Sequence, residues 1–162
     1  MAAALARGGE PNVNLVAILR QHLWDLEVKA SVIAEADLVL SEQRVLRSDI
    51  TVMLEADLQA QRAALSAGAD WREHRITVPP TLVVETLLAG HESHDRDLKR
   101  RWYTEFGVPY YWMVDPMQQT LEALKLVEGA YVEVARGAGV ETVHAEPFAE
   151  LAIPLGRVWG EA

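Results

Sequence analysis

No cysteine occurs among the 162 residues. That absence excludes a disulfide framework, a thiolate zinc centre and a cysteine nucleophile. No apolar run approaches the roughly 18 to 20 residues that a membrane-spanning helix needs. Met1 to Gly9 is too short and too weakly apolar for a secretory signal, so the expected location is cytoplasmic. Also missing are a glycine-rich phosphate loop, a dinucleotide fingerprint and a serine in a nucleophile elbow. Neither an internal repeat nor a low-complexity segment is visible. Excess positive charge is lacking too: the formal net charge is -9, which argues against a protein that coats nucleic acid non-specifically.

What is present is ordinary for a globular chain, with 50% apolar and 24% charged residues. The length suits one folded domain with a genuine core. The expected division is a flexible lead-in over residues 1–10 and a single domain over 11–162. Asn12 or Asn14 can cap a helix running to about Val28, with Leu15, Ile18, Leu19, Leu23 and Leu26 as its apolar stripe. Val32–Leu40 and Val45–Leu54 read as strands around a polar turn. Asp57–Gly68 is a short helix, and Ala69–Arg75 an exposed connection with Trp71 covering an edge.

The organising stretch runs from Ile76 to Pro116. Val83 and Val84 lie in an apolar, β-branched run, the signature of a strand buried on both faces. Glu85 interrupts that run, and a buried carboxylate needs a partner or a metal. Asp95–Phe106 can then form about three helical turns, with Gly107 as C-cap and Val108-Pro109 turning the chain away. Tyr110–Val114 is a second strand, closed by Asp115-Pro116. Thr120–Val127 and Ala130–Val134 form a hairpin around Glu128-Gly129. Val140–Val143 is a further short strand, and Leu151–Trp159 a closing apolar tail. The fold class is α/β (α+β), with a mixed central sheet flanked by helices.

Two constellations can carry chemistry. His91, His94, Asp95 and Asp97 match no compact zinc pattern, and a solvated helix start accounts for them better. Asp49, Glu85 and Lys99 are more informative. Two carboxylates on adjacent strands can hold a hard divalent cation, magnesium above all, with retained waters. A lysine beside them can orient the attacking water or stabilise charge developing on a phosphate. Arg96, Arg100 and Arg101 surround Lys99 as a local basic cluster, with Arg72 and Arg75 nearby in sequence. They are candidate nucleic-acid contacts, although a solvated helix face is the commoner meaning of such a cluster.

The stretch TLVVETLL followed by DRDLKRRWYTEFGVPYYWMVDP resembles the Uma-two family, a bacterial family of the restriction endonuclease type. RSDITVML is similar to that family's PDV-type strand, and the likeness covers roughly Val13 to Trp159. The KRRWY…GVPYYWMVDP block is its most specific part, because it fixes identities and spacing across a helix, a turn and a strand. The resemblance implies a PD-(D/E)XK, restriction-endonuclease-like fold, with residues 11–162 as one nuclease-like domain. It also implies metal-dependent cleavage of DNA phosphodiesters, with magnesium or manganese as cofactor. Carried over, Asp49 and Glu85 match the acidic signature and would bind the metal. Lys99 matches a catalytic lysine moved to the helix, since the usual strand position is Leu87. Tyr103 matches a core or site-wall tyrosine, and Trp112 and Asp115 match structural positions.

Several positions depart from the pattern. Ser48 stands where the family has proline, Leu88-Ala89 where it has Ser-Pro, Thr81 for an aspartate and Tyr110 for a glutamate. The expected N-terminal strands are also lacking, with the chain beginning near the first long helix. The rival reading is therefore a catalytically inactive nuclease-like binding or regulatory domain. DNA is the expected partner, no membrane is involved, and a homodimer is a further possibility.

Overall fold

The computed structural model describes residues 2–88 and 93–161, with side chains described from 9 to 88 and from 96 to 161. His91 lies outside the described residues, and His94 and Asp95 lie outside the described side chains. Helix α1 spans Ala2–Asp25, so it starts well before Asn12 and takes in the stretch expected as a lead-in. Leu15, Leu19 and Leu23 form its buried stripe, whereas Leu26 is 50% exposed. The helix ends at Asp25, and Glu27 at φ 53° redirects the chain, which carries Leu26 off the stripe.

The remaining elements are β1 (Ala30–Ser41), β2 (Arg44–Leu54), α2 (Glu55–Ala63), a 3-10 turn at Trp71–Glu73 and β3 (Leu82–Thr86). They continue with α3 (Ser93–Phe106), β4 (Tyr110–Asp115), β5 (Thr120–Val127) and β6 (Ala130–Ala138). The chain closes with β7 (Thr142–Ala145), β8 (Phe148–Pro154) and α4 (Leu155–Val158). Strands β1 to β6 form one six-stranded sheet in sequence order. Only β3 and β4 pair in parallel, because α3 carries the chain back between them; every other neighbouring pair in this sheet is antiparallel. The sheet is therefore mixed, as expected.

The two-residue period of a strand sends successive side chains to opposite faces. Ile50, Val52, Leu82, Val84, Trp112 and Val114 pack on one face with Leu15, Leu19 and Leu23 of α1. Met53, Val83, Tyr111 and Met113 pack on the other with Leu58 of α2 and Tyr103 of α3. Strand β3 is covered on both sides, with Leu82, Val83 and Val84 fully buried. Each such side chain contributes roughly 1.5–3 kcal/mol.

Three outcomes depart from the sequence reading. Leu151–Pro154 belongs to β8, which pairs with β7 as a separate two-stranded sheet rather than forming a tail. That sheet places Val143, Phe148, Leu151 and Ile153 in the α1-side core. Trp71 is buried at 5% exposure, so its segment is more than an exposed connection. Ile76 there pairs with the outer edge of β1, accepting from the Val39 amide at 2.8 Å and donating to the Asp37 carbonyl at 3.0 Å.

Side-chain bonds fix where β3 begins. The Asp57 carboxylate accepts from the Leu54 amide at 3.0 Å, the Thr81 amide at 2.9 Å and the Thr81 hydroxyl at 2.6 Å. It caps α2 and anchors the entry to β3 with one group. Gln61 does the same for the preceding segment, donating to the Arg75 carbonyl at 3.0 Å and accepting from the Thr77 amide at 2.9 Å.

Candidate active site

The register of β2 on β3 pairs Ile50 with Val84, so continuing it by one residue sets Asp49 beside Glu85. Both then lie on the face that α3 covers. Asp49 Oδ2 accepts the Thr86 amide at 2.6 Å, which fixes its orientation, and the Asp49 carboxyl lies within hydrogen-bond reach of Glu85. The Thr86 hydroxyl donates to Asn12 Oδ1, tying α1 to the same corner. Ser48, in the family's proline position, is buried and hydrogen-bonded to the Thr51 hydroxyl.

Glu85 meets α3. Lys99 and Tyr103 stand four residues apart and therefore share one helix face. The Tyr103 hydroxyl donates to Glu85 Oε1 at 2.5 Å, and Lys99 Nζ lies 3.5 Å from Oε2. Burial pushes the Glu85 carboxyl up to about 7, against the pull of the Lys99 ammonium and the Tyr103 hydrogen bond; the nearby Asp49 charge raises it further. Tyr103 is pushed well above the usual phenol range, first by its own burial and then by the Glu85 charge. It therefore remains a donor.

Asp49, Glu85 and Lys99 line one small cleft of about 130 Å³, together with Arg47, Thr86, Arg96 and Tyr111. Three cationic side chains thus surround two carboxylates in a chain of net charge -9. Arg47 is already engaged, bonded to both Asp37 oxygens at 2.8 and 3.2 Å. A roomier groove of about 630 Å³ runs along β1 beside Trp71–Ile76, but Asp37 in its wall is taken by Arg47 and Arg75. The smaller cleft is the one that gathers Asp49, Glu85 and Lys99, and it has the size for a cation and a phosphate oxygen.

The basic residues predicted around Lys99 separate. Arg96 lines the cleft. Arg100 instead donates to the Tyr131 carbonyl at 3.0 Å, and Arg101 pairs with Glu105 at 3.1 Å on the outer surface. Trp112 is fully buried and its indole donates to the Glu146 carbonyl at 3.0 Å. Asp115 accepts from the Met117 amide at 2.9 Å and the Gln118 amide at 3.0 Å, and so stabilises the turn after β4.

Tyr111, Arg47 and the Thr86 amide are cleft groups that the sequence reading did not single out. The parity of β4 offered a signal for Tyr111. It pairs with Val83, two residues before Glu85, and so shares the Glu85 face.

Among the described residues no group of three His, Asp or Glu side chains converges as a metal centre. The donors that do converge, Asp49 and Glu85, are hard oxygens with unused lone pairs. One or two carboxylates, completed by waters and substrate phosphate, is the usual protein share of a magnesium site. The residues therefore fit a divalent cation, which Asp49 and Glu85 would hold.

Among the described residues no helix is long and apolar enough to cross a membrane. No curated protein matches the chain. A crystal structure of "a putative nuclease belonging to DUF820" from Anabaena variabilis ATCC 29413 superposes with a TM-score of 0.69 at 13% identity. The alignment covers 96% of this chain and 81% of that one, so the two share a fold. The family model Uma2, described as "Putative restriction endonuclease", matches residues 1–156. With nearly the whole sequence matched, the chain belongs to the Uma2 family.

Proposed function

We propose that the protein is a magnesium- or manganese-dependent endonuclease of the PD-(D/E)XK type, hydrolysing phosphodiester bonds of DNA. The observation that supports this most is the meeting of Asp49, Glu85 and Lys99 in one cleft, from two neighbouring strands and the covering helix. Asp49 and Glu85 would hold the cation, which supplies a lowered pKa for bound water and polarisation of the phosphate. Thr86 holds Asp49 in place through its amide, and Tyr103 holds Glu85 through its hydroxyl. Lys99 is 28% exposed while Glu85 is 5% exposed, so the ammonium reaches the cleft from above a buried carboxylate. There it can orient the attacking water or meet negative charge on the phosphate. Leu87 occupies the strand position where a PD-(D/E)XK lysine usually stands, and the helix supplies the cation instead.

A second reading, a domain that binds without cutting, draws on the same geometry. Both Glu85 oxygens already have partners within the protein, so the cleft is electrostatically closed without a cation.

Calorimetric titration of manganese into the wild type and Asp49→Ala separates the two readings, followed by a plasmid-nicking assay. The endonuclease reading expects binding that Asp49→Ala abolishes, and nicking that both Asp49→Ala and Lys99→Ala abolish while Lys99→Ala still binds manganese. Manganese binding that survives Asp49→Ala would displace the site. Binding to DNA without nicking would favour the non-cutting domain.

A further inference from the structure

We infer that the Tyr111 hydroxyl, together with the Arg96 guanidinium, contacts the phosphate being cleaved, an assignment that rests on the endonuclease reading above. Three tyrosines, from α3, β4 and β6, meet in a row with tilted rings: Tyr103 and Tyr111 at 5.3 Å between ring centroids, and Tyr111 and Tyr131 at 5.6 Å. The outer two are satisfied within the protein. Tyr103 donates to Glu85 at 2.5 Å, and Tyr131 to the Val108 carbonyl at 2.6 Å.

The middle one differs. Tyr111 is only 1% exposed, lines the cleft, and its hydroxyl makes no hydrogen bond among the described residues. A hydroxyl held on a cleft wall without an acceptor from the surrounding side chains is completed by water or by a ligand that enters the cleft. A phenol O–H is a hydrogen-bond donor and takes an acceptor.

The surroundings specify that acceptor as an anion. Arg96 lines the same cleft, acts on the Tyr111 ring through its charge, and forms no ion pair among the described residues. A neutral donor and a guanidinium lining one small cleft suit the non-bridging oxygens of a phosphodiester. Tyr103 serves the carboxylate that would hold the cation; Tyr111 serves the substrate.

The test compares Tyr111→Phe with wild type for melting temperature, manganese affinity, nicking rate and affinity for a short DNA duplex in calcium, read by fluorescence anisotropy. No internal hydrogen bond is lost, so melting temperature and manganese affinity are expected to match wild type. Nicking should fall about tenfold to a hundredfold, the usual effect of losing one hydrogen bond to a charged group. Arg96→Gln, on the helix surface, should lower nicking in the same direction with manganese affinity again unchanged. Wild-type nicking by Tyr111→Phe would overturn the assignment, as would a loss of manganese affinity in that variant. Should the wild type bind DNA without nicking it, the endonuclease reading fails, and duplex affinity decides for Tyr111. A drop of about threefold or more would sustain the contact, and equal affinity would overturn it. A wild type that binds no duplex sinks both.

Discussion

Glu85 is the residue on which stability and the proposed metal holding pull in opposite directions. Its carboxyl is pushed up to about 7 from an ordinary value of 4.5, chiefly by burial. The folded state therefore binds this proton more tightly than the unfolded state. The resulting stability is fully present below about pH 4.5 and is lost as pH rises through about 7. By pH 8 the loss amounts to about 3 kcal/mol. Glu85→Gln keeps an oxygen for Tyr103 but cannot ionise. Urea unfolding at pH 5 and pH 8 should show the wild type losing that much more stability than Glu85→Gln, and millimolar manganese at pH 8 should restore the wild type alone. Parallel behaviour of the two proteins would mean that Glu85 titrates normally. Metal holding needs the ionised form, so nicking should rise with pH through the same region. Tyr103→Phe removes a hydrogen bond that lowers the Glu85 value, and should move the acidic limb of the pH–rate profile upward by about one unit. An unmoved limb would reduce Tyr103 to core packing.

Among the elements, β3 is the one whose placement matters most, since a residue of slip would exchange Glu85 for an apolar neighbour. Asp57 sets that register by accepting the Leu54 and Thr81 amides and the Thr81 hydroxyl. Asp57→Ala strands three donors at once and should cost about 2–3 kcal/mol in urea unfolding. A cost below about 0.5 kcal/mol would show that the β3 entry is held by its neighbours alone. Much of this level could be read from the chain. The double valine before Glu85, Gly107 at φ 87° ending α3, and Asp115-Pro116 ending β4 are local signals, and local signals survive folding. The pairing of β7 with β8 was not legible, because nothing in Leu151–Pro154 states which strand it meets. Tyr111 was missed for a related reason. Its proposed role depends on standing on the cleft wall between two tyrosines that are bonded within the protein, and that requires the parallel register of β4 on β3 together with the packing of α3. Lys99 was singled out from the strand–helix–strand reading and again by the resemblance, but spacing alone does not show a helix residue reaching a strand carboxylate.

For the whole molecule, the balance between a net charge of -9 and the cations of the cleft sets how the proposed DNA contact would be made. A net charge of this sign weakens duplex contact in general, while Arg96 and Lys99 line the cleft and Arg47 there is bonded to Asp37. Few phosphates are then contacted. Each one neutralised steepens the plot of log affinity against log salt by about 0.9. Two available cations predict a slope of about -2, much shallower than that of a protein tracking the backbone with many lysines. Arg96→Gln should flatten the slope by about one more unit, because it removes one phosphate contact and leaves the rest. Anisotropy titrations of a short duplex in calcium, between about 50 and 200 mM salt, measure both quantities. A slope of about -5 or steeper would place most of the DNA contact outside the cleft, on a surface that these residues do not describe. A shallow slope that Arg96→Gln leaves unchanged would keep the cleft as the contact but remove Arg96 from it, and with it half of the proposed phosphate clamp.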